Sequence, residues 1–137
     1  MLFRQRGKAE SVLSEEGFRR LRDMYRLGPD PNAVPPALID RYVEGFARPG
    51  RLTAALNYYR MALPLAGAMG DVTVPTLLMW GDQDPALGAV GAHATAGHVR
   101  GRYRLEVLEG AGHWLQFERP ADVSRLLIAH CQAAMRD

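Results

Sequence analysis

Apolar positions in the first half of the chain recur at the spacing of an α-helix. Two stripes stand out, and their members are Leu38, Ile39, Tyr42, Val43 and Phe46 in the first and Leu52, Leu56, Tyr59 and Leu63 in the second. Steps of three and four residues place such side chains on one helix face. Pro35-Pro36 is typical of a helix start, and Pro49-Gly50 is typical of a stop. The pattern therefore predicts two amphipathic helices between residues 35 and 64.

The residues before these helices are less clearly patterned. We predict that residues 1–16 are loosely ordered and that a short helix runs from about Phe18 to Arg26. This helix should end before Gly28-Pro29-Asp30-Pro31-Asn32, because proline cannot continue a helix.

The second half of the chain alternates between strand and helix patterns. Pro75 to Trp80 is a short continuous apolar run, typical of a buried parallel strand, and Tyr103 to Leu108 alternates apolar and charged residues as a second strand would. A weak helix is predicted over residues 86–98, and a last helix begins at Pro120. We predict an α/β fold with a helical segment over residues 1–69 and a β-α-β-α unit over residues 70–137. Two parallel strands alone make no stable sheet, so further strands should come from elsewhere.

Candidate chemistry lies just after the two predicted strands. Asp84 follows the first and His113 follows the second, and ligands bind outside the carboxyl ends of the strands in an open α/β sheet. A carboxylate that accepts the Nδ1–H of an imidazole fixes its tautomer, as a general base requires. We predict that Asp84 and His113 form such a pair, within hydrogen-bond reach.

Simpler interpretations of these residues remain open. Asp84 precedes Pro85, so it could be a helix N-cap, and His113 could be an ordinary surface-loop histidine. Asp82 is expected to bond the backbone of its own turn rather than to replace Asp84.

Composition excludes several classes of protein. The 137 residues correspond to about one domain, and 47% hydrophobic with 23% charged residues is an ordinary globular balance. No apolar run is long enough to span a membrane, and the first ten residues lack the pattern of a secretory signal. We therefore expect a cytoplasmic protein without membrane association.

Cysteine, histidine and charge patterns give no sign of a metal or nucleic-acid site. Cys131 is the single cysteine, and His93 and His98 are five residues apart, so neither a thiolate zinc site nor a helical histidine pair is indicated. The net charge is only +2, with the basic surplus confined to residues 1–26. We predict no metal and no nucleic-acid partner.

Three segments together resemble a known family. The stretches VPTLLMWGDQDPAL and LEVLEGAGHWLQFERPADV resemble the C-terminal end of the α/β-hydrolase fold, and ALIDRYVEGFARPGRLTAALNYYRMALP is similar to the end of the helical cap in its epoxide-hydrolase branch. The resemblance covers roughly residues 35–130. It implies that residues 1–69 are a cap-like segment, that Asp84 is the catalytic acid and that His113 is the catalytic base.

The resemblance also implies substrate-binding residues. Tyr59 falls where the epoxide-hydrolase branch carries a cap tyrosine that donates a hydrogen bond to the epoxide oxygen, since a phenol can donate to an oxygen as its charge develops. The alternative is a core tyrosine, because Tyr59 shares its stripe with leucines. Trp114, next to His113, is predicted to contact substrate as well.

The family's nucleophile elbow, with glycine two residues before and two after the nucleophile, is not present in this sequence. We therefore expect the end of a truncated or fragmentary hydrolase that is inactive alone. The favoured function is an epoxide hydrolase, in which a nucleophilic Asp forms an ester and a His–Asp pair activates water against it. The resemblance implies no cofactor for this reaction. Alternatives are a dehalogenase or carboxylesterase fragment and a non-catalytic remnant acting as a dimerising or binding module. Expected partners are a small-molecule substrate in the complete enzyme and either a second copy of the chain or its missing N-terminal half.

Overall fold

The computed structural model describes residues 2–66 and 70–136, which form two compact units. Within the described residues, one unit comprises residues 2–26 and 35–66, and the other comprises residues 27–34 and 70–136. The linker 27–34 connects two helices of the first unit along the chain, but it packs as part of the second unit.

The first unit is entirely helical. A short 3-10 turn at Leu2–Arg4 precedes α1 (Lys8–Met24), α2 (Pro36–Ala47) and α3 (Arg51–Ala66). The two helices predicted between residues 35 and 64 are therefore present. α1 is kinked at residues 15–18, where Gly17 adopts a φ of 63° that glycine reaches without steric cost.

The prediction of a loosely ordered N-terminus is wrong. Ala9 and Leu13 are one helical turn apart in α1 and are buried against Leu56 of α3. Because this contact joins residues more than 40 positions apart, tertiary packing orders a segment whose local pattern is weak. The helix predicted from Phe18 is the second arm of α1, and it ends at Met24 rather than Arg26.

The second unit contains a parallel pair of strands. β1 (Thr76–Gly81) pairs with β2 (Tyr103–Leu108) in a register that places Thr76 opposite Tyr103 and Gly81 opposite Leu108. Both predicted strands and their parallel arrangement are confirmed. α4 (Ala89–Ala94), a 3-10 turn (Thr95–His98), α5 (Leu115–Glu118) and α6 (Pro120–Ala134) complete the unit.

Two details of the helices differ from the predictions. The helix expected over residues 86–98 begins only at Ala89, because the backbone before it bonds to the Asp84 side chain instead. On α6, Leu126 is buried, whereas Leu127, expected on the same stripe, is half exposed. Among the described helices, none has the length and apolar character needed to cross a membrane.

Candidate active site

Two hydrogen bonds join the loops that follow β1 and β2. The Asp82 carboxylate accepts a hydrogen bond from the Gly110 N–H at 2.7 Å, and the Gln83 N–H donates to the Ala111 carbonyl at 2.9 Å. A Cβ atom on Gly81 would lie 2.3 Å from that same carbonyl oxygen, so only glycine permits the approach. Asp82 was expected to bond its own turn, and it instead joins the two loops.

The expected contact between Asp84 and His113 is present. His113 Nδ1 lies 3.0 Å from Oδ1 and 2.9 Å from Oδ2 of Asp84. Since an ionised carboxylate can only accept, Nδ1 donates the proton of this bond, and in the neutral imidazole Nε2 then carries the lone pair. The pair thus has the tautomer that a general base needs.

Asp84 is held by more than the imidazole. Its Oδ1 also accepts the backbone N–H groups of Ala86 at 2.8 Å and Leu87 at 3.0 Å. The helix N-cap alternative for Asp84 is therefore wrong, because Asp84 caps a turn and the N-cap of α4 is Gly88. One carboxylate thereby fixes both its own loop and the imidazole.

Burial and hydrogen bonding act in opposite directions on Asp84. Its side chain is only 6% exposed, and burial by itself would raise the carboxyl pKa. The hydrogen bonds from His113 and from the Ala86 and Leu87 N–H groups outweigh burial and hold the pKa of Asp84 below its usual value. Asp84 is consequently ionised at neutral pH.

A cavity of about 470 Å³ lies beside this pair. Asp84 and His113 are part of its wall, and most of the remaining lining is apolar, including Leu78, Trp80, Leu87, Val90 and Leu115. Such a combination of apolar wall and a few convergent polar groups is the usual form of a small-molecule site.

Trp114 is next to the pair. Its indole meets the His113 ring edge-on, with ring centroids 5.1 Å apart. Its proposed contact with substrate remains a prediction.

Tyr59 belongs to the helical unit. It is 42% exposed, so the core alternative for this residue does not hold. Phe3 packs edge-on against the Tyr59 ring, at a centroid distance of 4.9 Å, and the Tyr58 ring also meets it edge-on at 5.7 Å. The exposed phenol remains a candidate for substrate contact.

Two features of the structure were not predicted from the sequence. Arg60 is buried and pairs with Glu10, and Glu118 accepts hydrogen bonds from the backbone beside His113. No sequence motif signals either interaction. Arg60 and Glu10 are 50 residues apart in the sequence, and the partners of Glu118 are backbone N–H groups. Among the described residues, no group of three or more potential metal ligands comes together.

Comparison with known proteins shows a consistent set of relatives. Residues 2–126 match the model of the Alpha/beta hydrolase family. Human Epoxide hydrolase 4 is 38% identical over 92 residues, which are 65% of this chain and 25% of that protein. Epoxide hydrolase A of Mycobacterium tuberculosis is 35% identical over 111 residues, covering 73% of this chain and 34% of the relative.

Solved structures give the same result. The crystal structure of Epoxide Hydrolase A from Mycobacterium thermoresistibile superposes with a TM-score of 0.73 and 28% identity, covering 95% of this chain and 50% of that one. The chain thus spans a quarter to a third of these two curated relatives and half of this solved structure.

Proposed function

The chain belongs to the alpha/beta hydrolase family, and we propose that it supplies the acid and the base of an active site that hydrolyses epoxides. The observation that carries the proposal is the Asp84–His113 hydrogen bond beside a largely apolar cavity. The similarity to several epoxide hydrolases supports epoxides as the substrate class.

In the proposed reaction, a carboxylate from outside this chain opens the epoxide and forms an ester with one of its carbons. His113 Nε2 then takes a proton from water as the water oxygen attacks the ester carbonyl. Ionised Asp84 stabilises the imidazolium that forms. Collapse of the intermediate releases the product alkoxide, which takes the proton back from His113 to complete the diol. The second proton of the water is left on the carboxyl group. Its release restores the carboxylate and replaces the proton that the epoxide oxygen took up when the ring opened.

Substrate contacts are proposed for two aromatic residues. The phenol of Tyr59 would donate to the epoxide oxygen as negative charge develops on it, and Trp114 would extend the apolar wall next to His113. The reaction requires only water and protein side chains. We also propose a cytoplasmic location, consistent with a single exposed cysteine, Cys131.

The experiment joins residues 1–137 to the first half of a related epoxide hydrolase, which supplies the nucleophile. Steady-state formation of diol is measured for this chimera and for its Asp84→Asn form. We expect Asp84→Asn to lower kcat by at least about a hundredfold, as general-base catalysis contributes on that order. The chain alone is expected to give no turnover.

The matched control is Asp122→Asn, which removes an exposed carboxylate that pairs with Arg125 on α6. It should leave kcat within about twofold, because exposed ion pairs contribute little to stability. A folded chimera whose Asp84→Asn form keeps the parental kcat would overturn the proposal.

A further inference from the structure

Glu118, the last residue of α5, bonds the main chain on both sides of His113. Its Oε2 accepts the N–H of Gly112 at 2.6 Å, and its Oε1 accepts the N–H of Trp114 at 3.1 Å. Hydrogen bonds to an ionised acceptor are stronger than those between neutral groups. The amide N–H groups of the two residues that flank the histidine are therefore held by a single carboxylate.

The linker 27–34 packs against this carboxylate. A Cβ atom on Gly28 would lie 3.1 Å from Glu118 Oε1, and one on Gly112 would lie 2.6 Å from Cδ of Pro29. Gly28 has a φ of 130°, a conformation that side chains rarely adopt. The close backbone approach partly excludes water from the Glu118 bonds, which strengthens them.

The main chain near His113 needs such support. α5 has only four residues, too few for a helix that holds itself together in water. The His113 side chain is 28% exposed, so packing alone does not immobilise it. Its bond to Asp84 depends on where the backbone places the imidazole.

We propose that Glu118 is a positioning residue for His113. Its carboxylate holds the amide N–H groups of Gly112 and Trp114, and this sets the imidazole in line with Asp84. The inference deepens the proposed function, since it assigns how the base of that site is oriented. Its test needs no turnover, so its failure can be told from failure of the proposed reaction.

A purely structural role for Glu118 makes a different prediction. If the carboxylate only stabilised the α5 turn, its removal would lower the melting temperature and leave the His113–Asp84 bond unchanged. The discriminating signature is the proton on His113 Nδ1, observed by NMR in the ¹⁵N-labelled chain. Its exchange with water reports the bond to Asp84 directly.

The variant is Glu118→Gln, which keeps the side-chain volume but offers one acceptor oxygen in place of two. We expect the His113 Nδ1–H to exchange with water at least about tenfold faster, because one of the two amide N–H groups, that of Gly112 or that of Trp114, loses its acceptor. Asp122→Asn is the control, and it should keep the parental exchange rate. A Glu118→Gln chain that melts lower but keeps the parental Nδ1–H exchange would overturn the proposal.

A second measurement covers the case in which Glu118→Gln does not fold. In the unchanged chain, the amides of Gly112 and Trp114 should exchange with deuterium at least about tenfold more slowly than those of an unstructured peptide. Slow exchange at both amides supports the two hydrogen bonds to the Glu118 carboxylate. Exchange at the unstructured rate at either amide would contradict it.

Discussion

At the scale of single residues, the site depends on how closely two backbones can approach. Gly81 ends β1 directly against the loop that carries His113, and a Cβ there would lie 2.3 Å from the Ala111 carbonyl oxygen and 2.5 Å from that of Gly112. Real Cβ atoms do not reach such distances, and neither contact is with a flexible side chain. Gly81 is thus required by the packing of the two loops that hold Asp84 and His113.

We predict that Gly81→Ala separates these loops. Overpacking of this kind typically costs about 1–3 kcal/mol, and the loss should appear as a lower free energy of unfolding in urea. The His113 Nδ1–H should also exchange faster, because its partner Asp84 is on the displaced loop.

Gly91→Ala is the control for that variant. Gly91 is in α4, and no atom lies within 4 Å of its added Cβ, so the change should be neutral or stabilise by up to about 1 kcal/mol. Equal unfolding free energies for Gly81→Ala and Gly91→Ala would show that the close approach at Gly81 is not needed.

Among single residues, the sequence predicted Asp84 and His113, whose chemistry depends on their position after a strand. Asp84 and His113 could be predicted because parallel strands bring their carboxyl ends to one edge. The role of Glu118 could not be predicted, since its partners are backbone N–H groups, which almost every residue has. The partner of Asp82 was missed for the same reason, because Gly110 contributes only its amide.

At the scale of elements, a buried ion pair ties the helical unit together. The Arg60 guanidinium on α3 bonds Glu10 of α1 at 2.9 Å and the Phe3 carbonyl at 3.2 Å. Its side chain is only 7% exposed, so removal of the Glu10 charge would leave Arg60 poorly compensated. The hydrogen bond from Arg60 lowers the pKa of Glu10 from 4.5 to about 2.

This pKa predicts how the stability of the unit depends on pH. Above about pH 4.5, Glu10 is ionised in both the folded and the unfolded chain, and its stabilisation is complete. As the pH falls from about 4.5 to about 2, the unfolded chain takes up the proton first and the stabilisation is lost. Glu10→Gln should therefore be less stable at pH 7 and lose less stability across that interval, as measured by urea unfolding.

The control for Glu10→Gln is Glu44→Gln. Glu44 is exposed on α2, and its variant should follow the parental dependence on pH. Parallel pH profiles for Glu10→Gln and the parent chain would contradict the role assigned to the ion pair.

The elements themselves were predicted to different degrees. α2, α3 and both strands follow from local apolar patterns, and they were found where the patterns placed them. The first arm of α1 was missed because its order depends on Leu56 and Arg60, far along the chain. The helix predicted over residues 86–98 was too long because the side chain of Asp84 competes for the N–H groups of Ala86 and Leu87.

At the scale of the whole molecule, the described residues form a sheet of only two strands. Each strand consequently has an edge without a strand neighbour among those residues, and such an edge is a template for pairing with another chain. α6 also presents Leu127 and Ile128 at 50% and 57% exposure. The family fold provides further strands, while this chain spans half of the solved relative.

We predict from these surfaces that the isolated chain associates, either with a second copy or with a polypeptide that contains the rest of the fold. Sedimentation velocity should show a dimer or larger species, with an interface of more than about 1,000 Å² in total. A compact monomer with a cooperative melting transition would contradict this prediction, because the 137 residues would then close their own core.

The most direct test of the account is to trap the ester that His113 is proposed to hydrolyse. In the chimera with a nucleophile-bearing first half, His113→Gln is mixed with an epoxide and its intact mass is measured. Because the carboxylate adds to the epoxide without a leaving group, we expect a persistent mass increase equal to one epoxide molecule, with diol formation abolished. Diol formation at the parental rate by His113→Gln, without an adduct, would show that His113 is not the base.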